Sequence, residues 1–231
     1  MAPVQLLSGG AALGLVDAVR GEFQRRFDAD IQGRFSAVGA MRDELLGGTA
    51  CDVLILTDAL ITQLTQSGHV VAGSARPLGR VQTGVAVKAG QGMPDVSTPA
   101  ALKAALLAAS GIYFPDPVKA TAGIHVFGVL RALGLDVALA GRLKPFANGA
   151  TAMAAMAQSA EAGGLGSTQK TEILSTPGVV WVAPLPAPHG LATVYTAAVC
   201  ARAAQPGLAA QLVELLGGTA LAARRAACGF E

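Results

Sequence analysis

The sequence predicts an α/β fold built on a parallel sheet, and three observations predict it. Strand, turn and helix signals alternate three times within the first 66 residues. Residues 51–56 (CDVLIL) form a continuous apolar run of the kind that is buried on both faces of a parallel sheet. Further α/β units follow Arg80. Element by element, residues 4–7 are a short apolar strand turned by Ser8, Gly9 and Gly10. Leu13, Val16, Val19 and Phe23 then recur at spacings of three and four, the signature of a helix with one apolar face. Residues 30–35 suit a second strand, Ser36-Ala37-Val38-Gly39 a turn, and residues 41–46 a helix closed by Gly47 and Gly48. After the third strand, Asp58 is expected to cap a helix that runs to Gln66.

The second half repeats the theme. Residues 80–88 alternate as a strand, and Ser97-Thr98-Pro99 opens a helix with a hydroxyl cap and Pro in its first turn. Residues 111–114 are a strand, 115–123 a polar loop, and 124–133 a helix stopped by Gly134. A strand at 144–146 leads through Asn148 and Gly149 into a helix over 151–160. Strands at 164–169, 179–182 and 191–200 follow, and an alanine-rich helix pair over 208–216 and 219–227 ends the chain. No repeat of fixed period appears, which excludes solenoids and propellers.

Composition narrows the function classes. Lys and Arg number 17 against 15 Asp and Glu, a net charge of +2, and these charges are scattered, so no basic stripe marks a nucleic-acid face. Apolar residues make up 52%, yet no stretch approaches the ~20 uninterrupted apolar residues of a membrane span, so no membrane insertion is expected. There is no GxxxxGK[ST], no GxGxxG opening the first helix, no GxSxG and no HExxH, so neither a nucleotide, a hydrolase nucleophile nor a metal is expected, and no cofactor is implied. Cys51, Cys200 and Cys228 lack metal-like spacing and are expected to be reduced structural thiols, with Cys200 and Cys228 pairing only if the fold brings them together. The first residues lack the charged n-region of a signal peptide, an expectation of a cytoplasmic chain as written, or a periplasmic one if it is a trimmed mature form.

Six fragments stand in one order: LLSGGAALGLVDAV, FSAVGAMRDELLGGTACDVLILTDA, QSGHVVAGSARPLGRVQTGVAVKAG, PDVSTPAALKAALL, FPDPVKATAGIHVFGVLRALGL and GLGSTQKTEIL. In that order they resemble the molybdate-binding and broader sulfate/molybdate solute-binding family over nearly the whole chain. The resemblance implies two Rossmann-like lobes joined by two crossing strands, a type II periplasmic-binding-protein fold, with residues 1–79 plus 196–231 as one lobe and 80–195, including the hinge strands, as the other. It further implies a small anionic ligand in the cleft between lobes and, if the chain is exported, an ABC permease as partner.

Helix N-termini present unsatisfied N–H groups and about half a unit of positive charge, so several of them bind an anion without Lys or Arg. The turns that match the family's oxyanion sites are Ser8-Gly9-Gly10, Ser36-Ala37-Val38, Thr121-Ala122 and Gly149, with Lys119 beside the third. Two departures stand out. Gln169 occupies the place where molybdate binders put a tyrosine, and the opening Ser-Gly-Gly replaces Ala-Ala-Ser. Both fit a larger, carboxylate-bearing ligand. An enzymatic branch, typified by aconitate isomerase, opens with a similar Ser-Gly-Gly. On that alternative the chain is an isomerase of small polycarboxylic acids, with His125 and Lys119 as catalytic candidates and Arg80 and Glu172 behind them.

Overall fold

A computed structural model of the chain describes residues 2–231. It divides into two compact units, one comprising residues up to Val81 together with Thr193–Glu231, the other Gln82–Ala192. In the first unit β1 (Val4–Gly9) passes through a 3₁₀ turn (Gly10–Ala12) into α1 (Leu13–Phe27). Next, β2 (Ile31–Ser36) precedes α2 (Val38–Leu46), and β3 (Val53–Thr57) precedes α3 (Asp58–Gln66). β1 pairs in parallel with both β2 and β3, as three successive βα units require. The spacing in α1 does place one face inward: Leu15, Val16, Val19 and Phe23 are buried, and Asp28 in the left-handed conformation (φ 51°) ends the helix.

β4 (Arg76–Lys88) carries the chain into the second unit. There follow α4 (Pro99–Ala108), β5 (Ile112–Pro115), α5 (Thr121–Ala132), β6 (Leu143–Phe146), α6 (Gly149–Gln158), β7 (Leu165–Gln169), α7 (Lys170–Leu174) and β8 (Val179–Pro184). β5 is parallel to β6 and β7, whereas β4 runs antiparallel to β7 and β8. Alternation along β5 feeds two separate cores: Ile112 and Phe114 join Leu102, Val126 and Leu130, while Tyr113 joins Met153, Met156 and Ile173. β9 (Ala192–Val199) returns the chain to the first unit antiparallel to β3, and α8 (Pro206–Gly217), a 3₁₀ turn (Thr219–Leu221) and α9 (Ala222–Ala227) complete it. No single helix among the described residues is long and apolar enough to cross a membrane. The apolar side of α8, with Leu212, Val213 and Leu216, is instead buried in the first unit's core.

Several boundaries differ from the sequence expectation, each for a local reason. α5 begins at Thr121 rather than 124, because the Asp116 carboxylate accepts from the N–H groups of Val118 (2.6 Å) and Lys119 (2.9 Å) and folds the preceding link so that Ala120 serves as N-cap. Thr57, not Asp58, is the N-cap of α3; Asp58 is its first residue and accepts from the Thr196 hydroxyl at 2.8 Å. α7 had no periodicity to reveal it in five residues. Of the cysteines, Cys200 lies not beside Cys228 but with its sulfur 3.2 Å from that of Cys51, and all three are free thiols.

Candidate functional site

In open α/β sheets, ligands gather at the carboxyl ends of the parallel strands, where helix N-termini converge. In the first unit, Gly9 and Ser36 are direct partners at the ends of β1 and β2, so the two predicted turns leave the sheet side by side. A Cβ on Gly9 would fall 2.7 Å from Val38 Cγ1 and 3.2 Å from Tyr195 Cε1, which is why the first turn approaches the start of α2 only through glycine. Gly9 and Ala37 are the N-caps of the two helical starts, and neither provides a side-chain cap. Ser36 therefore does not serve as the ordinary N-cap of α2. It ends β2, half-buried, one residue before the cap. Ser8 is fully buried inside β1, and its hydroxyl donates to the Gly9 carbonyl at 2.8 Å. The donors that this turn presents are thus the backbone N–H groups of Gly10 and Ala11, and the second was not singled out in the sequence because a 3₁₀ start leaves no mark there.

In the second unit, α5 starts at Thr121 and Ala122, also without a side-chain cap. The α6 start is different. Asn148 accepts from Thr151 N–H at 2.8 Å, and the buried Glu172 carboxylate accepts from the backbone N–H groups of Gly149, Ala150 and Gln169 and from Thr168 Oγ1 at 2.6 Å. A Cβ at Gly149 would lie 2.0 Å from Glu172 Oε2, so glycine is what admits the carboxylate. The N–H of Gly149, expected to meet a ligand, is engaged by the protein's own acid. Burial pushes the Glu172 carboxyl above the ordinary range, opposed by these donated bonds.

Gln169 ends β7 directly opposite Thr83 of β4, and it is buried with neither amide atom hydrogen-bonded among the described residues. The hydroxyls of Thr83 and Thr171 are buried and unpartnered in the same way, and neither threonine was singled out in the sequence. His125 Nε2 donates to the His189 carbonyl at 2.7 Å, Lys119 and Arg80 are exposed, and Arg80 bonds through its backbone to Glu231. The described residues contain no group of three His, Cys, Asp or Glu side chains able to hold a metal.

The family model for bacterial extracellular solute-binding proteins matches residues 4–231. The chain belongs to that family. Among solved structures, this solute-binding protein is similar to the periplasmic molybdate-binding protein of Azotobacter vinelandii, with a TM-score of 0.81 at 19% identity over 99% of this chain and 98% of that one. It is similar also to the sulfate-binding protein SubI of Mycobacterium tuberculosis, with a TM-score of 0.71 at 17% identity over 100% and 86%. These likenesses establish the type II periplasmic-binding-protein fold. A curated relative, aconitate isomerase from a Pseudomonas species, is 24% identical over 219 residues, covering 91% of this chain and 80% of its own length.

Proposed function

We propose that this solute-binding protein captures a small anion, an oxyanion of the molybdate type or a short organic carboxylate, on backbone N–H groups and hydroxyls rather than on cations. The observation that carries the reading is the pair of helical starts at Gly10 and Val38, which lack side-chain caps, leave adjacent strands in register and touch through Gly9. Two such N-termini favour negative charge at one point. The second unit supports the same reading with the uncapped start of α5 and with Gln169, Thr83 and Thr171. A buried polar group without a partner costs ~1–3 kcal/mol, a cost that a polar ligand relieves. Gln169 offers donor and acceptor together, which suits a carboxylic acid or hydroxy-acid better than a bare oxyanion. In this reading Glu172 fills the α6 start, and an ABC permease is the partner that receives the ligand. Calorimetric titration with molybdate, tungstate, sulfate, phosphate and a panel of di- and tricarboxylates tests it; Ser36→Ala and Gln169→Ala should each weaken binding roughly 10-fold, the loss of one hydrogen bond to a charged group.

The second reading, an isomerase of small polycarboxylic acids, is favoured by the relative aconitate isomerase. It needs a base within reach of substrate, whereas His125 Nε2 and the Glu172 carboxylate are both engaged within the protein. Incubating the tightest-binding carboxylate with the protein and searching for its isomer separates the two: turnover selects the enzyme, and unchanged ligand selects the binder.

A further inference from the structure

The first unit is assembled from two chain segments separated by the whole of the second unit, and one dithiol lies across their junction. Cys51 stands two residues ahead of β3, outside its regular pleat, and Cys200 one residue past the end of β9. Their sulfurs are 3.2 Å apart although 149 positions separate them in sequence. Backbone bonds hold both in place: Cys200 N–H donates to the Asp52 carbonyl at 2.9 Å, and Ala201 N–H to the His69 carbonyl at 2.9 Å. A disulfide needs sulfurs about 2.0 Å apart, so the two sulfurs have about 1 Å to close.

Both cysteines also line the wall of a cavity of about 450 Å³ that lies wholly in the first unit, together with Leu45, Thr49, His69 and Arg202. His69 and Arg202 are exposed, so the lining that holds the thiols also offers a cation and an imidazole to small molecules that carry carboxylates. Nothing in the proposed capture of an anion uses this cavity or these thiols.

We infer that Cys51 and Cys200 form a redox-active dithiol, which a small disulfide of the glutathione type converts into an intramolecular disulfide through this cavity. The Cys200 S–H donates to the Cys51 sulfur, and the Cys51 S–H in turn donates to the Val53 carbonyl at 3.1 Å. The bond to Cys51, and then burial, raise the Cys200 pKa, so Cys200 keeps its proton longer and is assigned the second, resolving step. The Cys51 thiolate attacks one sulfur of the small disulfide, forming a mixed disulfide and expelling one thiolate. That thiolate takes up the proton that left Cys51. Cys200 then loses its proton, attacks the Cys51 sulfur and expels the second small thiolate, which is protonated in turn. Two thiols and one small disulfide become one protein disulfide and two small thiols, with no net change in protons.

The bond covalently joins the two segments of the first unit at the point where the chain comes back from the second. In an oxidising compartment it is the resting state, and in a reducing one the pair is a reversible thiol store. The test uses the intact wild-type chain, fully reduced and then equilibrated with excess oxidised glutathione at neutral pH. Thiols are counted under denaturing conditions, disulfide peptides are mapped by mass spectrometry, and melting is compared with and without reductant. The inference predicts a fall from three thiols to one, a peptide pair linking Cys51 to Cys200, and a melting temperature higher by roughly 5 °C or more in the oxidised form. Cys228→Ser should behave in the same way with no free thiol left. Three thiols remaining, a stable glutathione adduct on either cysteine, or a bond to Cys228 would overturn it.

Discussion

Glu172 accepts hydrogen bonds from the Thr168 hydroxyl and from the backbone N–H groups of Gly149, Ala150 and Gln169, yet desolvation still raises its carboxyl above the ordinary range. The native protein therefore binds this proton more tightly than the unfolded chain does. Stability from that group is fully present below the unfolded value of ~4.3 and is lost as pH rises through the folded one. Glu172→Gln cannot ionise, so its melting temperature should gain on the wild type as pH is raised from about 4 to about 7, and a difference that stays flat would contradict the assignment. None of this was legible in the sequence. Glu172 reads there only as a minor candidate for an isomerase site, and the strand order that brings it to Gly149 depends on β5 accepting both β6 and β7 as parallel partners. Ser36 was legible as a turn residue, but α2 begins at Val38, three residues ahead of the expected start, so that the turn after Ser36 is itself the first turn of the helix.

Helix starts are the elements that matter, and they fall into two kinds. The starts of α4 and α6 are closed by side chains, Thr98 and Asn148, whereas those at Gly10, Val38 and Thr121 are not. Removing a working cap should cost stability alone: Asn148→Ala is expected to lose about 1 kcal/mol in denaturant unfolding and to leave anion affinity within a factor of two of wild type, roughly. A large affinity loss would mean that the α6 start meets the ligand after all. Most helices and strands were legible because apolar spacing is a strong signal over ten or more residues, as in α1 and α8. The short α7 and the early start of α5 were not, since five residues carry no period and an Asp side chain folding the link ahead of a helix leaves none either.

At the scale of the whole molecule, the chain leaves the first unit along β4 and comes back with β9, so the first unit must hold together two segments far apart in sequence. Beside the pairing of β3 with β9, Asp52 is one fastening between the two segments. Buried at 1% exposure, it accepts from Gln5 N–H at 2.8 Å and from Gln205 N–H at 3.0 Å, which ties β1 and the start of α8 to the head of β3. Asp52→Ala leaves both donors without their acceptor, and the first unit should lose about 3 kcal/mol or more in urea unfolding; a loss under about 1 kcal/mol would show that water replaces the carboxylate. Read from sequence, Asp52 was simply counted into the apolar run of residues 51–56, because a fastening to Gln205 is a property of the closed fold.

The central claim is that helical starts and hydroxyls, not cations, hold a small anion, and isothermal calorimetry of the wild type, Ser36→Ala and Gln169→Ala against the oxyanion and carboxylate panel tests it most directly. The account predicts saturable one-to-one binding by at least one class of anion, weakened roughly 10-fold by each substitution with folding unchanged. Absence of binding by every anion in the panel, or binding that neither substitution diminishes, would contradict it.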